Sequence, residues 1–148
     1  MVRDERAPSG TALAFDFGER RIGVAVGTGS LGLAHPLLTV EARTAESRWQ
    51  AIAAVIAEWR PELLVVGVPG HDDDTPHPVA LRAERFARQL RERFRLPVRL
   101  VDERLSSWEA QRSPAGARAP GRRGELDRIA ARLILETYFS APHLAREP

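Results

Sequence analysis

Acidic side chains stand at three positions of this 148-residue chain where they could cooperate in a reaction. Asp16 ends the apolar run ALAFD, the pair Asp102 and Glu103 ends the run LPVRLVDE, and Asp127 lies in the first turn of a predicted last helix. Asp16 alone fits a turn residue before Gly18, a phosphate-loop residue or a metal ligand. The chemistry available therefore depends on whether these positions meet.

Converging carboxylates would favour a hard cation. Two or three carboxylates without a histidine or cysteine cluster suit Mg²⁺ or Mn²⁺, and the chain has no cysteine. Two such ions stabilise the attacking and leaving oxygens of an in-line phosphodiester displacement. Side chains alternate between the faces of a strand, so only one of Asp102 and Glu103 can join Asp16 directly. Asp127 can equally be explained as an acid that, together with Glu125, complements the dipole of the last helix at its first turn.

The periodicity of apolar residues predicts the elements that carry these acids. Short apolar runs predict three antiparallel strands at 12–17, 22–27 and 35–43, with Gly18 in the first turn. A helix follows over 46–58, with Trp49 and Trp59 in its core stripe and Pro61 at its end. The remaining predicted elements are a strand over 62–69, a helix with an apolar stripe from Val79 to Phe94, a strand over 96–103, and a helix from about Glu125.

This order of elements predicts an α/β fold in one domain spanning 1–148, built on a five-stranded mixed sheet with helices on both faces. Binding sites in such folds form beyond the carboxyl ends of strands, where Asp16 and the Asp102–Glu103 pair lie. The segments 1–10 and 141–148 are predicted to be flexible tails. No apolar stripe is left over once the helices cover the sheet, so the oligomeric state stays open between a monomer and a weak homodimer.

Charge and hydropathy narrow the partners and the compartment. All 22 basic residues are arginine, which explains a pI near 10.2, and guanidinium groups bind phosphates in bidentate geometry. The Arg/Pro/Gly-rich segment 112–124 is predicted to be a mobile loop that contacts nucleic acid through Arg118, Arg122 and Arg123; a solvated surface has a similar composition. No apolar run is long enough for a membrane span, and residues 1–10 are too polar for a signal peptide, which predicts a cytoplasmic protein.

Five motifs carry a specific likeness. In order they are FDFGERRIGVAVG, HPLLTV, LLVVGVP, VDERLSSWEA and LDRIAARLILETYF, within residues 11 to 140, and with them the chain resembles the YqgF/RuvX family. The resemblance implies a ribonuclease H-like fold and a metal-dependent nuclease that matures the 5′ end of 16S rRNA in its precursor or pre-ribosomal particle. It also implies a relationship to resolvases that cut branched DNA.

The resemblance also implies roles for individual residues. Asp16, Glu103 and Asp127 match the family's acidic positions and are the implied catalytic ligands of Mg²⁺ or Mn²⁺, with two ions expected. Further residues are marked for substrate binding or for structural roles, namely Gly18, Arg21, Arg104 and Ser106. Arg21 and Arg104 could equally pair with the carboxylates, and Ser106 could cap a short helix.

Two departures from the family pattern leave the three acids in place. Glu19 stands where a threonine, neutral or basic residue is usual, and an extra carboxylate there could disturb metal or phosphate binding. The loop HDDDT replaces a common Asp-Gly; an exposed acidic loop before a helix capped by Thr75, with Pro76 at its first position, explains it better than a metal site.

Other functions remain open on the sequence. Sugar kinases, Hsp70 and actin share the predicted topology and an Asp-x-Gly turn, but they close two such domains around ATP and this chain supplies one. A non-catalytic RNA-binding or ribosome-assembly module would keep the fold without cutting. A junction resolvase would need a dimer to cut two strands symmetrically. The sequence does not rank RNA over DNA, since Trp108 is the only predicted exposed platform for base stacking.

Overall fold

The computed structural model describes residues 10–41, 43–70, 77–103 and 123–148, without the side chain of Arg123. Within these ranges most elements begin and end within one or two residues of the positions that the periodicity predicts. The elements are β1 (Thr11–Asp16), β2 (Arg21–Thr28), β3 (Leu33–Glu41), α1 (Ala45–Trp59), β4 (Leu63–Val68), α2 (Pro78–Phe94), β5 (Val98–Asp102), α3 (Arg123–Ser140) and a short 3₁₀ turn (Pro142–Leu144).

The five described strands form one sheet in the order β3-β2-β1-β4-β5. β1 pairs antiparallel with β2, and β2 pairs antiparallel with β3. β4 runs parallel to both β1 and β5. The predicted mixed sheet is confirmed, and the carboxyl ends of β1, β4 and β5 lie at the same edge.

Side-chain size on β1 decides how closely each layer approaches the sheet. The large residues Leu13 and Phe15 belong to the core beneath α1 and α2, whereas the small residues Ala12 and Ala14 face α3 with Ile134. Successive side chains of a strand point to opposite faces, so this alternation separates the two cores. Because β1 presents only small side chains to α3, that helix packs close to the backbone of the sheet.

Trp59 corrects one prediction. It was expected in the core stripe of α1, but it is 38% exposed and lines an apolar groove with Leu31 and Leu33, which are also exposed. Trp59 is the last residue of α1, and the chain turns at Arg60 in the left-handed conformation (φ 46°) before Pro61. Trp59 therefore borders this groove together with residues of β2 and β3, and not the buried core.

The start of α2 also differs from the prediction. His77, rather than Thr75, caps the helix: its Nδ1 accepts a hydrogen bond from the backbone N–H of Val79 (3.2 Å), and Pro78 is the first helical residue. The pair His77-Pro78 repeats, two residues later, the cap-then-proline pattern seen at Thr75-Pro76, and a neutral imidazole can accept this bond. Thr75, Pro76 and the acidic stretch 71–74 lie outside the described residues.

The C-terminal segment 141–148, predicted as a flexible tail, instead contacts the edge strand β5. Arg146 and Leu100 exchange two backbone hydrogen bonds, of 2.7 and 3.0 Å. The guanidinium of Arg146 also pairs with Glu84 of α2 (2.5 Å). An exposed strand edge favours such pairing, which composition alone does not reveal.

Two other predicted flexible segments lie largely outside the described residues: 1–9 of the first tail and 112–122 of the arginine-rich loop. The last two residues of that loop, 123 and 124, belong to α3. None of the helices in the described ranges is long and apolar enough to cross a membrane.

Candidate functional site

The candidate site is organised by one row of residues that runs across all five described strands. Pairing places Thr39, Gly23, Asp16, Gly67 and Val101 side by side. Residues in register on neighbouring strands point to the same face of a sheet, and this row faces α3. Asp16 therefore has a glycine on either side, and the missing side chains leave room around its carboxylate.

Asp16 is the one charged residue in the described ranges that is classed as buried, at 8% exposed. A buried carboxylate is costly unless hydrogen bonds or positive charge compensate it. Its position follows from the alternation of β1, since Ala12, Ala14 and Asp16 share one face. A carboxylate kept in such a place by the fold suggests a functional role.

Glu103 joins Asp16 on the α3 face, and Asp102 does not. A β-carbon built on Gly67 would lie 3.2 Å from Glu103 Oε1, so this carboxylate lies beside the glycine next to Asp16. Asp102 instead lines a cavity of about 230 Å³ on the α2 face, together with Glu84 and Arg146. The two neighbouring acids therefore lie on opposite faces, and Glu103 is the one on the face of Asp16.

Asp127 reaches the row from α3. The backbone carbonyl of Asp127 lies directly over Gly23, where it would collide with any β-carbon at that position. The Asp127 carboxylate accepts a hydrogen bond from Arg21 Nε at 2.8 Å; the two side chains are 22% and 30% exposed. Arg21 therefore pairs with an acid, one of the two roles that the sequence left open.

Thr39 and the strand glycines position this helix, and the sequence interpretation missed them. The Thr39 hydroxyl donates to the carbonyl oxygen of Gly124 (2.7 Å), which ties the first turn of α3 to the edge strand β3. Gly23 and Gly67 lie inside strands, where glycine often marks the close approach of another backbone. That signal was present in the sequence, although it does not say what approaches.

Glu19 does not join the acids. Its carboxylate forms an ion pair with Arg82 of α2, on the face of the sheet opposite α3, and both side chains are more than half exposed. In this structure Glu19 therefore adds no further carboxylate to the acidic row. Gly18 lies in the turn as predicted, and a β-carbon there would lie 2.5 Å from the carbonyl oxygen of Arg21.

Several predicted site residues lie outside the described ranges. They are Arg104, Ser106, Arg118 and Arg122, and the predicted stacking residue Trp108 is outside them as well. Arg123 is the first residue of α3, and its side chain is not described. Their predicted roles in binding stay predictions.

The three carboxylates are the type of ligand that a hard cation prefers, but in this structure they are not spaced as ligands of one ion. Asp16, Glu103 and Asp127 offer carboxylate oxygens only, which is the ligand set of Mg²⁺ and Mn²⁺. In the part of the chain that the structure describes, no group of three acidic or histidine side chains is arranged closely enough to hold a metal ion. Asp127 is engaged with Arg21 instead. The residues fit a divalent cation by chemical type.

Comparison with known proteins supports a nuclease. A protein of Dechloromonas aromatica (strain RCB) named "Putative pre-16S rRNA nuclease" is 50% identical over 139 residues, which cover 90% of this chain and 93% of that protein. A protein of the same name from Methylobacillus flagellatus is 49% identical over 141 residues, covering 94% and 97%.

Solved structures confirm the ribonuclease H-like fold. RuvC of Thermus thermophilus in complex with a Holliday junction substrate has a TM-score of 0.56 at 17% identity, covering 94% of this chain and 99% of RuvC. Another T. thermophilus RuvC structure has a TM-score of 0.53 at 19% identity, covering 93% and 99%. At these identities the likeness concerns the fold alone.

A family model described as "RuvX: Holliday junction resolvase" matches residues 10–141 of this chain. The match includes all three acids and every described strand. The resemblance found in the five sequence motifs is thereby confirmed, and the chain belongs to the RuvX family.

Proposed function

We propose that this protein is a hydrolase that cuts a phosphodiester bond in the 5′ leader of precursor 16S rRNA with the help of a divalent cation. The observation that carries the proposal is the gathering of Asp16, Glu103 and Asp127 around one row of the sheet, with glycines on both sides of Asp16. The names of the relatives that share about half of its residues support the choice of substrate.

Asp16, Glu103 and Asp127 are the residues that would hold Mg²⁺ or Mn²⁺, and we expect two ions. When bound, such cations activate a water molecule and stabilise the charge that develops on the attacking and leaving oxygens of the phosphodiester. The chain contributes fixed anionic ligands: Asp16 is buried in β1, and α3 carries Asp127. Fixed ligands reduce the reorganisation that the reaction requires.

Arg21 contributes by holding the Asp127 carboxylate toward the sheet through its Nε. A guanidinium has further N–H groups, and Arg21 is 30% exposed, so it can also meet a phosphate oxygen of the substrate. We assign binding of the RNA backbone to Gly18, Arg21, Arg104 and Ser106, and to the arginines of the 112–124 segment, Arg118, Arg122 and Arg123. The first four assignments rest on the family pattern, and the last three on the local excess of arginine, whose guanidinium groups bind phosphate.

The substrate implies where and how the protein works. Precursor rRNA is made in the bacterial cytoplasm, so we place the activity there, on free precursor or on a pre-ribosomal particle. Cutting one RNA strand requires one active site, which a monomer or one subunit of a weak homodimer supplies. Symmetric cutting of a four-way DNA junction requires two sites related by a two-fold axis.

The test is a cleavage assay with purified protein on two labelled substrates. One is an RNA spanning the 5′ leader and the start of 16S rRNA, and the other is a four-way DNA junction; each is incubated with Mg²⁺, Mn²⁺ or EDTA. We expect metal-dependent cleavage of the RNA, no cleavage in EDTA, and little or no cleavage of the junction.

The other outcomes assign other functions. Symmetric cleavage of the junction alone would establish a resolvase, which the description of the matching family model favours as the second candidate. Binding of the RNA leader without cleavage in either metal would establish an RNA-binding or assembly module and contradict the proposed hydrolase.

A further inference from the structure

A basic groove lies on the opposite side of the sheet from the acids, between α1 and α2. It has a volume of about 460 Å³, and its polar lining consists of Arg48, Arg82, Arg85, Gln89 and Glu19. We call it the arginine groove. It begins where β1 ends, because Phe17, the residue after Asp16, contributes to its lining.

The arginines of this groove are suited to bind phosphate. Arg48 is partly buried, and within the described residues its Nε is a buried donor without a hydrogen-bond partner. A buried donor of this kind is costly to leave unsatisfied, and Arg48 lines the groove, so a rotation of its side chain toward a bound oxygen would give this N–H a partner. Arg82 and Arg85 lie one helical turn apart on α2, and guanidinium groups bind phosphate oxygens with paired N–H donors.

Glu19 contacts the Arg82 guanidinium, which is the group that would bind a phosphate in this groove. Glu19 and Arg82 form an ion pair in which the side chains are 58% and 56% exposed. Exposed ion pairs contribute little to stability, so exchange of the Glu19 carboxylate for a phosphate oxygen is not prevented by the pair itself. Glu19 and a phosphate would therefore compete for Arg82.

An aromatic surface adjoins these charges. The Phe17 ring packs on Phe86 with centroids 5.1 Å apart, and Phe17 is only partly buried. A partly exposed ring beside guanidinium groups suits single-stranded nucleic acid, because a base can stack on the ring while the cations meet the backbone. Phe17 directly follows Asp16, the last residue of β1, and packs against the core opposite α3, so an RNA strand crossing the end of β1 would meet both sides of the sheet.

We propose that the arginine groove binds the phosphodiester backbone of a single-stranded RNA segment next to the bond that is cut, and that Glu19 weakens this binding by occupying Arg82. The nature of the strand rests on the proposed function above; the groove and its competitor rest on the contacts just described. An acidic peptide is the other polyanion that could enter the groove.

The test measures the affinity for a short fluorescent single-stranded RNA in EDTA, where no metal-dependent cleavage occurs, over a series of salt concentrations. We expect Arg82→Gln and Arg85→Gln each to weaken binding about 3- to 10-fold and to reduce the slope of log affinity against log salt by about 0.7, the value for one lost contact to a single strand. Arg88→Gln is the matched control, because Arg88 is an exposed arginine of α2 outside the groove lining.

Glu19→Gln should act in the opposite direction and tighten binding, and the gain should disappear in the double variant Glu19→Gln/Arg82→Gln. The proposal is overturned if Arg88→Gln weakens binding as much as Arg82→Gln, or if Glu19→Gln leaves the affinity unchanged. It is also overturned if an acidic peptide competes with RNA at equal charge concentration. Thermal unfolding of each variant verifies that the substitutions leave the fold intact.

Binding in EDTA separates this proposal from the proposed function. If the groove variants lose RNA binding but the protein cuts no RNA, the proposed groove is retained and the proposed hydrolase is rejected. If the protein cuts RNA but the groove variants keep the wild-type affinity and salt slope, the proposed RNA-binding groove is rejected and the proposed hydrolase is retained.

Discussion

At the scale of single residues, the role of each acidic side chain depends on the residue that it contacts. Asp127 is held by Arg21, Glu19 by Arg82, and Glu103 lies beside Gly67 near Asp16. The same acid types thus serve different purposes because strand alternation and helix position send them to different faces. Asp102 and Glu103 are adjacent in the chain, and only Glu103 lies on the face of Asp16.

Removing the guanidinium of Arg21 should affect stability and activity together. Arg21→Gln breaks a charge-assisted hydrogen bond of 2.8 Å in a partly exposed pair, so we expect the free energy of unfolding to fall by about 1 kcal/mol. Cleavage should also slow, since Asp127 loses the group that orients it. Chemical denaturation and a cleavage assay measure the two effects.

Arg20→Gln is the control for this change, because Arg20 is the exposed neighbour of Arg21. It should alter the free energy of unfolding by less than about 0.5 kcal/mol, as is usual for surface substitutions. Equal stability of the Arg20 and Arg21 variants would show that the ion pair with Asp127 does not hold the site together.

Residue types predicted part of the site and could not predict the rest. The three acids and the pairing option of Arg21 followed from motifs and strand ends. The choice of Glu103 over Asp102 needed the register of β4 and β5, and the roles of Gly23 and Thr39 needed the position of α3. The partner of Glu19 also depends on a contact between distant segments, which no local pattern encodes.

At the scale of elements, the placement of α3 on the sheet decides whether Asp127 can reach Asp16. The first turn of α3 is fixed by the bond from Thr39 to Gly124 and by the absence of a side chain at Gly23. The small residues of β1 on the same face let the helix lie close to the sheet. The site therefore depends on small residues as much as on acids.

Gly23→Ala should displace α3. Its β-carbon would collide with the Asp127 carbonyl group, which belongs to the backbone and cannot rotate away, so we expect a loss of about 3 kcal/mol in unfolding free energy and a large loss of cleavage. Denaturant unfolding and cleavage rates give both values.

The matched change is Gly124→Ala in the first turn of α3. A β-carbon there would lie 3.5 Å from Thr39 Oγ1, an ordinary contact, and alanine favours the helix by up to about 1 kcal/mol. Gly124→Ala should therefore be neutral or stabilising. Destabilisation by both substitutions to the same extent would contradict the role assigned to Gly23.

At the scale of the whole molecule, the two edge strands of the described sheet have different neighbours. β5 is paired with the C-terminal segment through Leu100 and Arg146, whereas β3 forms the other edge and adjoins the apolar groove around Trp59. The order of elements and the mixed sheet could be predicted from periodicity. The C-terminal contact could not, because residues 141–148 show no periodic pattern.

Deleting residues 141–148 should destabilise the fold and expose an edge. Two backbone hydrogen bonds to Leu100 are lost, at about 0.5–1.5 kcal/mol each, and the uncovered strand β5 should promote aggregation. Thermal unfolding and light scattering measure these effects. Arg146→Gln is the control, because it keeps the backbone bonds and removes the guanidinium that pairs with Glu84, so its stability should stay within about 1 kcal/mol of wild type.

The central claim is that the acids on the α3 face, and not all acids at this sheet edge, perform the cleavage. The most direct measurement compares Mn²⁺-dependent cleavage of the precursor 16S leader by Asp16→Asn, Glu103→Gln, Asp127→Asn and Asp102→Asn proteins. We predict a loss of at least about 100-fold in the first three, because each removes a ligand charge, and a near wild-type rate for Asp102→Asn, with all four folded. Wild-type cleavage by the Asp16 and Asp127 variants, or an equal loss in the Asp102 variant, would contradict it.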